Sequence, residues 1–157
     1  RWKTAASTTV TATSGQRQSM PLSYVIRFEY LPPAEVRGNS RAHWAKRKAT
    51  VAALREATYV WTLEHPVPEI DPFVVHARWG HPSRHIDGDN MTMGIKPIVD
   101  ELVEQGLALD DKNQFWKGIF WDEEKVKKGE EFLELTIREV QHEQVGISME
   151  RRAATSP

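Results

Sequence analysis

The 157 residues contain no cysteine. Disulfides, zinc-thiolate centres and thiol nucleophiles are thereby excluded, and any metal must be held by oxygen or imidazole. No apolar run is long enough to cross a bilayer, and the opening RWKTAASTTVTATSGQRQSM lacks the unbroken apolar stretch of a secretory signal. The expectation is a soluble, cytoplasmic protein. Excess charge is missing too: 21 Lys and Arg against 22 Asp and Glu leave a net −1. That balance excludes a uniformly basic nucleic-acid binder, but not a basic face, because local potential rather than total charge steers polyanions. No internal repeat is visible.

What remains is the composition of an ordinary globular chain, 39% apolar and 27% charged. At this length folding removes roughly 70% of the unfolded surface from water, enough for one self-sufficient core. Residues 1–21 and 141–157 are polar and aperiodic and are expected to be flexible tails. Residues 22–140 make one domain.

Within it, Tyr24, Ile26, Phe28 and Tyr30 alternate with polar or smaller residues, predicting a strand that Leu31-Pro32-Pro33 ends. Asn39-Ser40 offers cap side chains for a helix from about Arg41 to Glu64, with Val51, Leu54 and Trp61 inward and His65-Pro66 as its stop. A second strand spans 73–79. From Ile95, the apolar positions 95, 98, 99, 102 and 103 trace one helical stripe, with Pro97 in the first turn and Gly106 as terminator. Strands are expected at 115–121 and 132–140, with a charged turn at 122–130 between them. The order β-α-β-α-β-β predicts an α+β fold, a small mixed sheet with two helices packed on one face. Its other face needs cover, which makes dimerisation plausible.

Two stretches carry chemistry. Between Arg37 and Lys48 lie Arg37, Arg41, His43, Lys46, Arg47 and Lys48 and no acid, a basic entrance to the first helix suited to backbone phosphates. The stretch Arg84 to Asp111 reads RHIDGDNMTMGIKPIVDELVEQGLALDD. If Asp87 and Asp89 sit on extended backbone they project to one side and reach one ion, with Gly88 letting the backbone approach. Asp111, with Asp110 beside it, would join from the far end of the helix, and a dication would offset the repulsion among these carboxylates. Lys96, at the expected helix start, suits stabilisation of a phosphodiester transition state. The plainer alternatives are that Asp87-x-Asp89 caps a helix, that Lys96 and Asp100 form a surface ion pair one turn apart, and that the basic run is a solvated face.

Taken together, Asp87-x-Asp89-Asn90, Lys96-Pro-Ile-Val-Asp100-Glu-Leu, Gly106 and Asp110-Asp111 resemble the RusA-type crossover junction endodeoxyribonucleases, and Asn39-Ser40-Arg41-x-His43-Trp44 resembles the amino-terminal motif of their phage members. The resemblance covers roughly residues 24–140. It implies a homodimeric enzyme, dependent on Mg²⁺ with Mn²⁺ as a substitute, that nicks branched DNA symmetrically at four-way junctions. By position it implies that Asp87, Asp89 and Asp111 bind metal, with Asp110 as a further ligand or as an orienting neighbour, and that Lys96 is the catalytic lysine. Lys112 is the fallback for that role. Arg84 falls near the family's basic position ahead of the first acid.

Overall fold

The computed structural model of the chain describes residues 22–83, 85–110, 112 and 114–140. Both expected tails, and with them Arg84, Asp111 and Asn113, lie outside the described residues. The alternation near Tyr24 becomes strand β1, Ser23–Phe28, with Tyr24, Ile26 and Phe28 buried and Val25 and Arg27 between them. A single 3-10 turn at Ala34–Val36 leads to helix α1, Trp44–Glu64. It starts three residues later than expected, because His43 rather than Asn39 or Ser40 is the cap, its Nδ1 accepting from the Ala45 amide at 3.3 Å. Leu54 and Trp61 face the core, Val51 only partly, and the helix stops at His65-Pro66 as the sequence predicts.

Strand β2, Phe73–His81, precedes helix α2, Gly88–Glu104, and strands β3, Trp116–Lys125, and β4, Phe132–Glu139. The sheet order is β1-β4-β2-β3, with β2 and β3 parallel and the other neighbours antiparallel. The fold is thus α+β, a mixed four-stranded sheet with both helices over one face. Facing those helices, Phe73, Val75, Ala77 and Trp79 join Ile26, Phe28, Leu133, Leu135 and Ile137 in one core. Met91, Ile95, Ile98, Val99 and Leu102 of α2 are all fully buried in it.

Three expectations are corrected. First, α2 begins at Gly88, seven residues before Ile95, so Pro97 is an interior residue and not a first-turn one. The missing amide and ring clash of an interior proline cost about 3 kcal/mol. Burial of five large side chains along the same helix outweighs that. Gly106 does terminate the helix, at φ 101°, with Leu107 N–H donating to Leu102 and Gly106 N–H to Val103, the paired bonds of a Schellman turn.

Second, β3 runs through the stretch expected as a charged turn. Asp122 pairs with His76 at 2.9 Å and Glu124 with Arg78 at 2.6 Å, while Glu123 pairs with His81, so each acid has a cross-strand partner on β2. Third, the outer sheet face exposes Phe120 but is otherwise largely a field of paired charges. Arg27 pairs with Glu134 at 3.2 Å, and Phe132 lies under Arg27, whose guanidinium is 4.1 Å from the ring centroid.

A partly buried ion pair joins the helices: Glu101, on α2, accepts from Arg55 Nε of α1 at 2.9 Å and from Gln105 at 2.9 Å. Truncating the α2 stripe should be costly and truncating the exposed side of α1 should not. Ile98→Ala is expected to lower the unfolding free energy by about 2–5 kcal/mol, and Leu63→Ala to stay within about 0.5 kcal/mol, both read from urea midpoints at unchanged slope.

Candidate active site

The sequence from Gly80 to Asp89 carries the chain from the carboxyl end of β2 to the amino end of α2. Asp87 is the N-cap, with φ −56° and ψ 131°, and its Oδ1 accepts from the Asp89 amide at 3.3 Å. Asp89 is in the first helical turn. The two acids are therefore not side by side on extended backbone. They are the cap and first turn of a helix, where negative charge complements the exposed amides. Both are exposed to solvent.

The basic segment ahead of α1 docks on this helix end. Gly38 N–H donates to the Asn90 carbonyl at 3.1 Å, and a Cβ at Gly38 would lie 2.7 Å from Asn90 Oδ1, so a larger residue there would displace the Asn90 side chain. Between the two segments opens a cleft of about 530 Å³, with Arg37, Asn39 and Arg41 on one side and His85, Asp87 and Asn90 on the other. Arg37 is half-buried and donates from Nε to the Pro32 carbonyl at 2.9 Å; burial lowers its pKa from the usual guanidinium value, against the opposing pull of the Glu35 charge. Arg41 is exposed.

Other members of the basic run go elsewhere. His43 caps α1, Lys46 pairs with Glu35 at 2.6 Å, and Arg47 and Lys48 follow on the first turns of α1, away from the cleft lining. A second cavity, about 370 Å³ between α1 and Tyr30, is walled by Ala49, Ala53 and Leu54 with only the Glu35–Lys46 pair for charge.

Lys96 is in the middle of α2, not at its start. Its Nζ donates to Asp100 at 2.7 Å, the one-turn ion pair named among the alternatives, and stands 5.9 Å from the Trp116 ring centroid. Seven residues separate it from Asp89, which is nearly two whole turns, so the two share one helix face about 10 Å apart along the axis. Asp110 is elsewhere: it pairs with Lys112 in the loop beyond the carboxyl end of α2. That loop adjoins the start of β2, Phe73 N–H donating to Phe115 and Ile70 N–H to Leu107. Since β2 and β3 are parallel, this is the opposite end of the 17-residue helix from Asp87. The helix length alone separates them by roughly 25 Å. Asp111 lies outside the described residues.

Among the described residues, no three histidine, aspartate or glutamate side chains are grouped to hold a metal ion. Two exposed carboxylates do fit a hydrated Mg²⁺ of the kind that keeps several waters and takes its remaining ligands from substrate phosphate. Asp87 and Asp89 supply such a pair, and Asp110 does not join them.

The flank across from the arginines was not anticipated. Glu123 of β3 accepts from His81 Nε2 through one oxygen, and its other oxygen lies against His85 Nδ1 as a charge contact rather than an aligned hydrogen bond. His81 is buried. Burial pushes the Glu123 carboxyl up, but the His81 hydrogen bond and the charges of both histidines outweigh it, leaving the pKa below the ordinary glutamate value. Trp121 completes this flank, and a Cβ at Gly88 would come within 2.1 Å of its indole. The one signal in the sequence was the match of His76-x-Arg78-x-x-His81 to Asp122-Glu123-Glu124, legible only once β2 and β3 are known to pair.

No family model matches this chain, and no curated protein does.

Since the Glu123 carboxylate is favoured in the folded state, it stabilises above the ordinary glutamate pKa, and the contribution is lost as the pH falls through its lower folded value. Glu123→Gln should therefore melt below the parent near about pH 7 and converge with it below about pH 4. Thermal melts across that range test this, and a constant difference would contradict it.

Proposed function

We propose that this protein is a Mg²⁺-dependent, structure-specific endodeoxyribonuclease that acts on four-way DNA junctions as a homodimer, cutting two strands symmetrically. The observation that carries the reading is the cleft in which Arg37 and Arg41 face Asp87 across a few side chains. A cationic wall opposite a carboxylate suits a phosphodiester, one side holding the phosphate and the other the region where charge and water must be managed. The resemblance to the RusA-type enzymes supplies the junction and the dimer.

In this reading Arg37 and Arg41 bind non-bridging phosphate oxygens, and the half-burial of Arg37 fixes its direction before DNA arrives. Asp87 and Asp89 hold the cation, Mg²⁺ or Mn²⁺. When bound, such an ion polarises the phosphate and lowers the pKa of its water. Asn90, adjoining both acids, orients the phosphate through its amide. Lys96, on the Asp89 face of α2, adds positive charge further along the groove. Beyond the cleft, Arg47 and Lys48 add cationic contacts to backbone from the first turns of α1 without reading sequence, while Lys46, paired with Glu35, and His43, the helix cap, contribute only at its margin. Asp111, Asp110 and Arg84 enter only through the resemblance, so the reading rests on a pair of carboxylates and not on a trio.

The Asp87 cap bond favours a second reading, a DNA-binding module without turnover that uses the same cleft. One variant separates them. Asp89→Asn is expected to cut a synthetic four-way junction about 10²–10³-fold more slowly in Mg²⁺ while binding it as before. Undiminished cutting would remove Asp89 from the site, and a parent protein that binds but never cuts would establish the second reading. Arg37→Ala with Arg41→Ala should flatten the slope of log affinity against log salt by about 0.9 for each phosphate no longer neutralised.

A further inference from the structure

The nuclease reading uses the acids and the arginine wall and leaves the opposite flank without a task. Trp121 stands there, on the edge strand β3, with no strand beyond it among the described residues. The residue is 43% exposed, and a Cβ on Gly88 would fall 2.1 Å from Cε2 and 2.4 Å from Nε1. Gly88 is the residue between Asp87 and Asp89. The ring is therefore pressed against the backbone that carries both acids, in a residue that stays exposed to solvent.

Such an indole is an inefficient filler, since much of its apolar area stays in water. It is well suited to another role. Base–aromatic stacking tolerates any base, because every base has a π-face, and it needs only an accessible ring beside a groove that tracks the backbone. Nucleotides at a branch point have lost a stacking neighbour, so drawing one out costs less there than inside a continuous duplex. Glu123, two residues further on the same face of β3, ties the strand to His81 and His85 and so holds the ring's mounting in place.

We infer that Trp121 is a stacking platform for an unpaired nucleobase, seating the adjoining phosphodiester over Asp87 and Asp89. Trp121 is a positioning residue here, and the inference takes its substrate from the nuclease reading. It makes the protein selective for branched over continuous DNA through the cost of freeing a base. The two flanks divide the labour, with phosphates on the arginine side and one base on the tryptophan side.

The test compares the parent protein with Trp121→Ala, Trp121→Leu and Trp121→Phe. Binding is measured in chelator to a four-way junction and to a linear duplex, with 2-aminopurine placed in turn at each branch-point nucleotide. Trp121→Ala should weaken junction binding by roughly five- to a hundredfold and leave duplex binding unchanged. Trp121→Phe should restore most of the loss and quench 2-aminopurine at one position, as the parent does. Trp121→Leu, which fills the space beside Gly88 without a π-face, should restore neither. Melting temperatures accompany each variant, and if the alanine variant unfolds, the Leu and Phe pair decides the matter alone.

Equal junction binding by the Leu and Phe variants, or parental binding by all three, would overturn the inference. A parent that cuts junctions in Mg²⁺ alongside such a result leaves the nuclease reading standing and removes only the platform. A parent that neither prefers junctions nor cuts them removes both.

Discussion

Burial of the apolar stripe of α2 against the sheet is the constraint on which the other features depend. Met91, Ile95, Ile98, Val99 and Leu102 are wholly out of water, and an interior proline is tolerated because of what that burial contributes. Once the stripe is seated between β2 and β3, the amino end of α2 must emerge at the carboxyl ends of two parallel strands, the place where open sheets containing such crossovers present their ligand sites. The cap residues, the docked Gly38 and the Trp121 ring all follow from where that helix end stands. The same geometry sends Asp110 to the other end.

Electrostatics then divides the surface. On the outer sheet face side chains pair strand by strand, Arg27 with Glu134, Arg78 with Glu124 and His76 with Asp122. Exposed pairs of this kind add little stability each. They do leave that face without a strong field of either sign. The cleft differs, because Arg37 and Arg41 line it together with Asp87.

Much of the fold was legible because it is local. Alternation at Tyr24–Phe28 and Phe73–Trp79, the stripe from Ile95 and the stop at Gly106 each depend on neighbours within a few residues, and the structure bears out the class and the element order. The start of α2 was not legible. Residues 88–94 include two glycines and one buried apolar side chain, Met91, so no helical period stands out, and the packing of Gly88 under Trp121 is long-range information. The extension of β3 was hidden for a related reason: Asp122-Glu123-Glu124 reads as a turn until its partners on β2 are known. For the site, the sequence pointed to Arg37, Arg41 and Asp87, which line one cleft, and to Lys96, which is paired with Asp100. It missed the His81, His85, Glu123 and Trp121 flank, because cross-strand proximity leaves no trace in linear order.

The order of the strands also governs when this chain is able to fold. β1 pairs with no described strand but β4, so Ser23 finds its partner in Arg138 only when nearly the whole domain exists. In the finished sheet β4 lies between β1 and β2, so the pairings of β1 close only after the last strand is present. Pairings of such long range slow folding, and a chain cut short before Phe132 would expose two further strand edges, those of β1 and β2 that β4 covers, each a template for association with another molecule.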